Sequence, residues 1–157
     1  MRRLQGLAVA LLTWSGAHCA VAQSADGLIS TPSNHSFAAT IDKFEAAAKA
    51  AGMKIFTRID HAEAAREAGL SMPPASVIVF GAPKGGTPNF LKAPTLAIDL
   101  PLRALVWEDS AGKVFVTVNS GAYISGTIFP RHGLPSAADG GAGQDELIGG
   151  FVAEATR

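Results

Sequence analysis

The feature that most constrains the fold is an alternation of helical and strand periodicities, separated by short segments that contain glycine or proline. The first clear case is the segment 36–52, in which Phe37, Ile41, Phe44 and Ala48 fall on one side of a helix. The spacing predicts an amphipathic helix. Such a helix needs another layer of structure to cover its apolar side.

The alternation continues through the next three segments. Residues 53–59 alternate in polarity and predict a strand. Asp60, with Glu63 three residues later, forms a capping box and predicts a helix that ends near Gly69. Residues 76–80 are an uninterrupted apolar run, which predicts a central strand.

The remaining segments complete a mixed architecture. A short first strand is predicted at 27–31, and residues 102–108 and 113–119 predict a hairpin because a glycine-containing turn joins them. Residues 144–157 predict a terminal helix, whereas residues 95–100 fit either a helix or a strand. The order predicts an α+β, two-layer domain with a mainly antiparallel sheet and helices packed on one face.

The amino terminus has the pattern of a secretory signal peptide over residues 1–22. A short basic start precedes an apolar run, Leu4–Trp14, and a small-residue site, Ala20-Val21-Ala22. The run is too short to cross a bilayer, which takes roughly 20 apolar residues. Two alternatives are a helix of the folded domain and a lipid anchor on Cys19, although His18 stands where a small residue is expected. We expect a periplasmic or secreted protein.

Removal of the signal peptide would leave residues 23–157 as a single α+β domain. That domain would contain no cysteine and would carry eleven basic and thirteen acidic residues, a net charge of −2. This balance argues against a nucleic-acid partner and against stable membrane insertion after cleavage. The segment 134–143 is rich in glycine and alanine, and this composition predicts a linker before the terminal helix.

The segment Gly81–Pro88 follows the predicted central strand and invites comparison with a phosphate-binding loop. In a Walker loop the lysine follows the second glycine, whereas Lys84 precedes the glycine pair and Pro83 removes a backbone donor. We therefore interpret the segment as a tight turn, with a helix that begins at Thr87 and Pro88. A weak anion site at the start of that helix is the alternative.

Several polar residues stand out as candidates for a ligand site. His61 lies in the first turn of a predicted helix, where a neutral imidazole could act as a ligand or base, and it is the best candidate for metal binding. Asp99 lies in an apolar context four residues before Arg103, which favours an ion pair. No catalytic motif is present and no cofactor is predicted. The predicted ligand-binding residues are His61, Lys84, Thr87, Asp99 and Arg103.

Several short blocks are separate in the sequence and follow one another in a set order: Asp60-His61-Ala62, Pro73-Pro74, Phe80-Gly81-x-Pro83, Gly86-Thr87-Pro88 and Asp99-Leu100-Pro101-Leu102. By these blocks the chain resembles a bacterial family, domain of unknown function 302, from about Gly27 to its carboxyl terminus. The departure at Asn89-Phe90, where many relatives carry Leu-Met, concerns local packing. The resemblance implies a compact α+β domain similar to the fold of the TATA-binding-protein type, often a dimer, and no established reaction.

The sequence is compatible with three functions. The first is an exported, non-catalytic module, possibly a homodimer, that binds a small molecule or another envelope protein. The second is an accessory or structural protein of the envelope. The third is a metal- or haem-dependent protein that uses His61. The absence of a catalytic motif in the sequence favours a protein that is not an enzyme.

Overall fold

The structure, a computed structural model, describes residues 22–23 and 27–157. The predicted signal peptide therefore lies outside the described residues, except for Ala22. The described strands form one antiparallel sheet in the order β1-β2-β6-β5-β4-β3. They are β1 (Ala22–Gln23), β2 (Leu28–Pro32), β3 (Lys54–Asp60), β4 (Ala75–Gly81), β5 (Leu102–Glu108) and β6 (Val114–Asn119).

The helices are inserted between these strands and after the last of them. A 3₁₀ helix, Pro94–Ile98, precedes β5, and a π-helical turn, Ile124–Ile128, joins two short helices. None of the helices in the described part of the chain is both long and apolar enough to cross a membrane. The α-helices are α1 (Phe37–Ala50), α2 (His61–Glu67), α3 (Pro83–Lys92), α4 (Gly121–Tyr123), α5 (Phe129–Arg131) and α6 (Ala142–Thr156).

The main core lies between one face of the sheet and the helices α1 and α6. Phe44 of α1, Phe80 of β4 and Phe151 of α6 meet edge to face, with ring centroids 5.3 to 6.3 Å apart. Alternate residues of β4 and β5, such as Ile78 and Val106, are fully buried beneath them. The predicted α+β fold, with an antiparallel sheet and helices on one face, is confirmed.

A second apolar cluster lies where β4 ends and β5 begins. Leu96 of the 3₁₀ helix is fully buried there, with Ala93, Ile124 and Ile128. Phe90, Leu100, Leu102, Tyr123, Phe129 and Leu134 pack around these residues. The cluster joins α3, the 3₁₀ helix and the helical run 121–131.

The predicted N-caps of α1 and α2 are present, although the capping box of α2 is only half formed. The Ser36 hydroxyl accepts a hydrogen bond from the Ala39 amide, and the Asp60 carboxylate accepts one from the Glu63 amide at 3.0 Å. The side chain of Glu63 turns to Arg66 instead of completing the box. Both predicted caps are confirmed.

The predicted start of the third helix is wrong. Helix α3 begins at Pro83, with Ala82 as its N-cap, and Thr87 and Pro88 lie inside it. Proline suits the first helical position because its missing amide would have had no partner there. The amide of Gly86 donates to the Ala82 carbonyl at 2.9 Å, which places the glycine pair within the helix.

The structure also describes the ambiguous segment and the predicted linker. The ambiguous residues 95–100 fall mostly in the 3₁₀ helix. The predicted linker, 134–143, overlaps the first two residues of α6 and contacts the helical run 121–131. There the Ala137 amide donates to the Ser125 hydroxyl at 2.7 Å. The backbones of Gly121 and Gly141 also touch, since a Cβ on Gly121 would lie 2.0 Å from the Gly141 carbonyl oxygen.

Candidate functional site

The sheet separates His61 from the other four predicted site residues. β3 and β4 are antiparallel, so the end of β3 that leads into His61 is opposite the end of β4 that leads into Lys84. Thr87 follows in the same helix as Lys84, and Arg103 pairs with Val79 in the second half of β4. Asp99 lies three residues before the first residue of β5. The chain therefore brings four predicted residues to one end of the sheet and leaves His61, which is exposed, at the other.

Two of these four residues line a common cavity of about 190 Å³, here called the polar cleft. Asp99 and Arg103 contribute to its wall together with Asn119 and Tyr123. Lys84 and Thr87 are exposed residues of α3 and are not part of this wall. The remaining lining residues are Leu100, Pro101, Leu102, Ile124, Ile128 and Ile148.

Asp99 and Arg103 do not form the side-chain pair that their spacing suggests. The Arg103 guanidinium donates to the Asp99 backbone carbonyl at 3.1 Å and to that of Ile98 at 3.5 Å. The Asp99 carboxylate lies 2.6 Å from Nε2 of His132 and 3.3 Å from Nη1 of Arg131. The hydrogen bond with His132 lowers the pKa of Asp99, and the nearby charges of Arg131 and Arg103 lower it further.

His132 connects Asp99 to a hydroxyl group. Its Nδ1 lies 2.9 Å from the Thr95 hydroxyl, and its side chain is only 5% exposed. A hydroxyl, an imidazole and a carboxylate that are connected in series by hydrogen bonds are the components of nucleophilic catalysis. Neither Thr95 nor His132, however, lines the polar cleft or the groove described below. We therefore interpret these hydrogen bonds as a structural link between the 3₁₀ helix and the carboxyl end of α5.

His132 is the residue that the sequence reasoning missed. It is separated from Asp99 by 33 positions, and no periodicity connects the two. The family resemblance extends over His132, but a resemblance does not say which side chain the imidazole contacts. Only the packing of the 3₁₀ helix against the helical run 121–131 brings the imidazole to the carboxylate.

A larger and more apolar cavity lies on the other side of the segment Leu100–Leu102. This apolar groove has a volume of about 380 Å³. Its walls come from the start of β3, the end of β4, the amino end of α3 and the first turns of α6. The lining residues are Met53, Phe56, Gly81, Ala82, Pro83, Gly85, Gly86, Asn89, Phe90, Leu100, Pro101, Leu102, Phe129, Gly143, Gln144 and Leu147.

Glycine keeps the groove open. Gly81, Gly85 and Gly86 present only backbone to it. A Cβ on Gly81 would already be 3.5 Å from Pro101, and one on Gly86 would be 3.4 Å from Phe90. The glycine-rich segment that resembled a phosphate loop thus forms one wall of an apolar cavity.

The polar groups of the groove are few. Asn89 and Gln144 are the side chains with hydrogen-bonding groups among its lining residues, and none of the described lining residues is charged. Nε2 of Gln144 is buried and has no hydrogen-bond partner. Buried polar groups in proteins are nearly always hydrogen-bonded, so this donor is unusual.

The described residues do not include a preformed metal site. No group of three or more His, Cys, Asp or Glu side chains in this part of the chain is placed to hold a metal ion. His61 lies in the first turn of α2, exposed to solvent. Its role as a metal ligand remains a prediction from the sequence.

Comparison with solved structures shows the same fold. The crystal structure of an uncharacterized conserved protein of the family DUF302, from Bacillus stearothermophilus, superposes with a TM-score of 0.68. The match covers 82% of this chain and 98% of that one, at 14% sequence identity. At that identity the likeness concerns the fold alone.

Comparison with curated proteins gives closer sequence matches. The chain is 46% identical over 113 residues to proteins named Fluoride-specific ion channel FluC 1 from Brucella suis biovar 1 (strain 1330) and Brucella abortus biovar 1 (strain 9-941). The matched stretch is 72% of this chain but only 43% and 40% of those proteins. This chain therefore spans less than half the length of these relatives.

The family itself is shown by a match to its model. The model named Domain of unknown function DUF302 matches residues 29–147, which include every strand from β2 to β6 apart from Leu28. The resemblance predicted from the sequence blocks is thereby confirmed. This chain belongs to the family Domain of unknown function DUF302.

Proposed function

We propose that this protein is an exported, non-catalytic binding module whose small-molecule ligand occupies the apolar groove. The observation that carries the proposal is the groove itself. Its volume of 380 Å³ lies in the range of about 300–1,000 Å³ that is typical of ligand pockets. Its apolar and aromatic walls, with two amide side chains, also match the usual composition of such pockets.

The groove supports the proposal better than the polar cleft does. The cleft is half as large, at 190 Å³, and Arg103 on its wall already binds backbone carbonyls. The groove lies where three blocks that are separate in the sequence meet: 80–83, 86–88 and 99–102. A site assembled in this way can hold a ligand without relying on any single residue.

Export is part of the same proposal and is supported by the pattern of residues 1–22. Cell fractionation with mass spectrometry of the purified protein tests it. We expect the protein outside the cytoplasm, with Gln23 as its first residue. Recovery of the intact chain from the cytoplasm would contradict export without affecting the groove.

Two tryptophan variants test whether the groove is the binding site. Gly85 and Gly150 are both exposed helical glycines at which a Cβ would meet no atom within 4 Å. Gly85 lines the groove, whereas Gly150 does not. Gly85→Trp should therefore fill the groove, and Gly150→Trp is the matched control.

The probe is 8-anilinonaphthalene-1-sulfonate, whose fluorescence rises in apolar sites. We expect saturable binding to the parent protein and to Gly150→Trp, with affinity reduced at least about tenfold, or 1.4 kcal/mol, in Gly85→Trp. Circular dichroism should show that both variants are folded. Equal affinity in the two variants would show that the groove is not the site.

The curated relatives favour one alternative function. We propose as this alternative that the protein is an envelope accessory protein that associates with a fluoride channel. The support is the 46% identity over 113 residues to proteins named Fluoride-specific ion channel FluC 1. The matched stretch makes up less than half of each of those proteins. Channel activity is not proposed for this chain, because it spans less than half the length of the proteins that bear that name.

Deletion of the coding sequence in the native host tests the alternative. An accessory protein should co-purify with a fluoride channel after crosslinking, and its loss should lower the fluoride concentration that inhibits growth. Unchanged fluoride tolerance together with no crosslinked channel would remove this alternative. Growth in equimolar chloride is the control for general salt sensitivity.

A further inference from the structure

The most unusual feature of the groove is the amide of Gln144, in the first turn of α6. Its Nε2 is buried and has no acceptor, although the residue lines the cavity. A buried donor without a partner destabilises the folded protein. A ligand oxygen in the groove would supply the acceptor that the protein itself does not.

We propose that the groove binds a small monocarboxylate with an aromatic or aliphatic body, and that Gln144 donates a hydrogen bond to its carboxylate. The inference rests on the proposed function of the groove and names the chemical class of the ligand. It concerns a residue that no motif in the sequence singled out.

The charges around the groove favour an anion. No charged side chain lines it among the described residues. The ammonium of Lys54 lies 5.1 Å from the centre of the ring of Phe56, a lining residue. Among the acidic residues near the start of α6, Asp139 and Asp145 already accept hydrogen bonds from backbone amides, and Glu146 is exposed. A positive charge thus lies beside one wall of the groove, which favours an anionic ligand over an organic cation.

The walls of the groove suit the apolar body of such a ligand. Phe56 and Leu147 are large apolar side chains that are 44% and 41% exposed. Phe90 and Phe129 also line the cavity. A ring or short alkyl chain between these residues would remove their exposed surface from water, and such burial contributes favourably in proportion to its area.

The amide can reach the ligand by a simple rotation. The terminal torsion of glutamine is broad and roughly twofold, so the nitrogen and the oxygen exchange places at low cost. Nε2 makes no hydrogen bond in the structure, so a rotation that points it toward the cavity breaks none on the nitrogen side. The rotation places Oε1 in the buried position that Nε2 leaves, and the hydrogen bond from Nε2 to the ligand is the gain that offsets this change.

Three ligands of similar size test the proposal by isothermal titration and amide-resolved NMR. They are benzoate, benzyl alcohol and benzylamine, which differ in charge and in hydrogen-bonding groups. We expect benzoate to bind at least about tenfold more tightly than benzyl alcohol, and benzylamine to bind most weakly. Equal affinities for benzoate and benzylamine would overturn the proposal.

Two substitutions of Gln144 make the test specific. Gln144→Leu keeps the helix preference of the side chain, is one atom shorter and removes the donor, and it should abolish the preference for benzoate. Gln144→Glu introduces a like charge and should shift the preference to benzylamine. A preference for benzoate that survives in both folded variants would overturn the role of Gln144. Gln144→Glu alone decides the matter if the leucine variant does not fold.

The failure of this inference can be told apart from the failure of the proposed function. If Gly85→Trp excludes 8-anilinonaphthalene-1-sulfonate but benzoate has no advantage or does not bind, the groove remains a site and the ligand class is wrong. If Gly85→Trp excludes none of these molecules, the groove is not the site and both proposals fail.

Discussion

The two apolar clusters of this protein are built in different ways. The main core joins regular elements, α1, α6 and the sheet, and its three phenylalanines pack edge to face. The second cluster joins a proline-interrupted helix, a 3₁₀ helix and a π-bulged run around Leu96. Both cavities of the candidate site border this second cluster.

The difference shows where a small domain can combine stability with an open site. Regular helices and strands bury their apolar faces almost completely because their side chains repeat in register. Irregular segments meet at angles that leave space between them. In this chain the glycines of α3 and the segment Leu100–Leu102 widen that space into a groove. Substitutions in each cluster can show whether the two have these separate roles.

The largest expected effect is in the main core. Phe44→Ala should lower the free energy of unfolding by about 3–5 kcal/mol, because the ring is fully buried and its removal leaves a cavity. Urea denaturation measures this loss. Phe56→Ala is the control, since Phe56 is 44% exposed. A smaller loss for Phe44→Ala than for Phe56→Ala would contradict the assignment of the core.

The second cluster should contribute less. Leu96→Ala should cost about 2–3 kcal/mol, at the low end for a buried leucine, because irregular neighbours can close part of the cavity. The same variant should weaken binding of 8-anilinonaphthalene-1-sulfonate, whereas Phe44→Ala should not while it remains folded. A loss of stability in Leu96→Ala with unchanged binding would separate the cluster from the groove.

The contact between Gly121 and Gly141 tests how the second cluster is joined to α6. Gly121→Ala would place a Cβ 2.0 Å from the Gly141 carbonyl oxygen, and overpacking of this kind costs about 1–3 kcal/mol. Gly126→Ala is the control in the same helical run, since a Cβ there meets no atom within 4 Å. Equal stability of the two variants in urea would show that this close approach is absent.

The smallest effect concerns pH. Because the pKa of Asp99 is lowered in the folded protein, the carboxylate stabilises the fold above its unfolded pKa of about 3.9, and this stabilisation is lost as the pH falls through the folded pKa. Asp99→Asn should therefore lower the melting temperature at pH 7, and the difference should shrink as the pH falls below about 4. A difference that persists at low pH would assign the effect to packing.

The accuracy of the sequence analysis differed between the two clusters for a physical reason. Helix α1 and strands β4 to β6 carry their periodicity in consecutive residues, so their positions could be predicted from local patterns. The start of α3 could not, because the glycines weaken the helical signal and Pro88 suggested a later start. The 3₁₀ helix likewise remained ambiguous, because its fold depends on Leu96 packing against residues of the run 121–131.

The site was less accessible to sequence reasoning than the fold. Asp99 and Arg103 were identified from their setting and do line one cavity. The side-chain contacts of these two residues could not be identified from the sequence, because the partner of Asp99 is His132, which follows a distant helical run. Gln144 has no sequence signal at all, since an amide in a helix is ordinary until its surroundings are known.

The most direct test of the central claim, that the apolar groove is the binding site, is to map benzoate and 8-anilinonaphthalene-1-sulfonate onto the backbone by amide-resolved NMR. We expect shifts that saturate at residues 81–86, 100–102 and 143–147, with little change in α2 around His61. Saturable shifts confined to α2, or to the face of the sheet that the helices leave uncovered, would contradict the account.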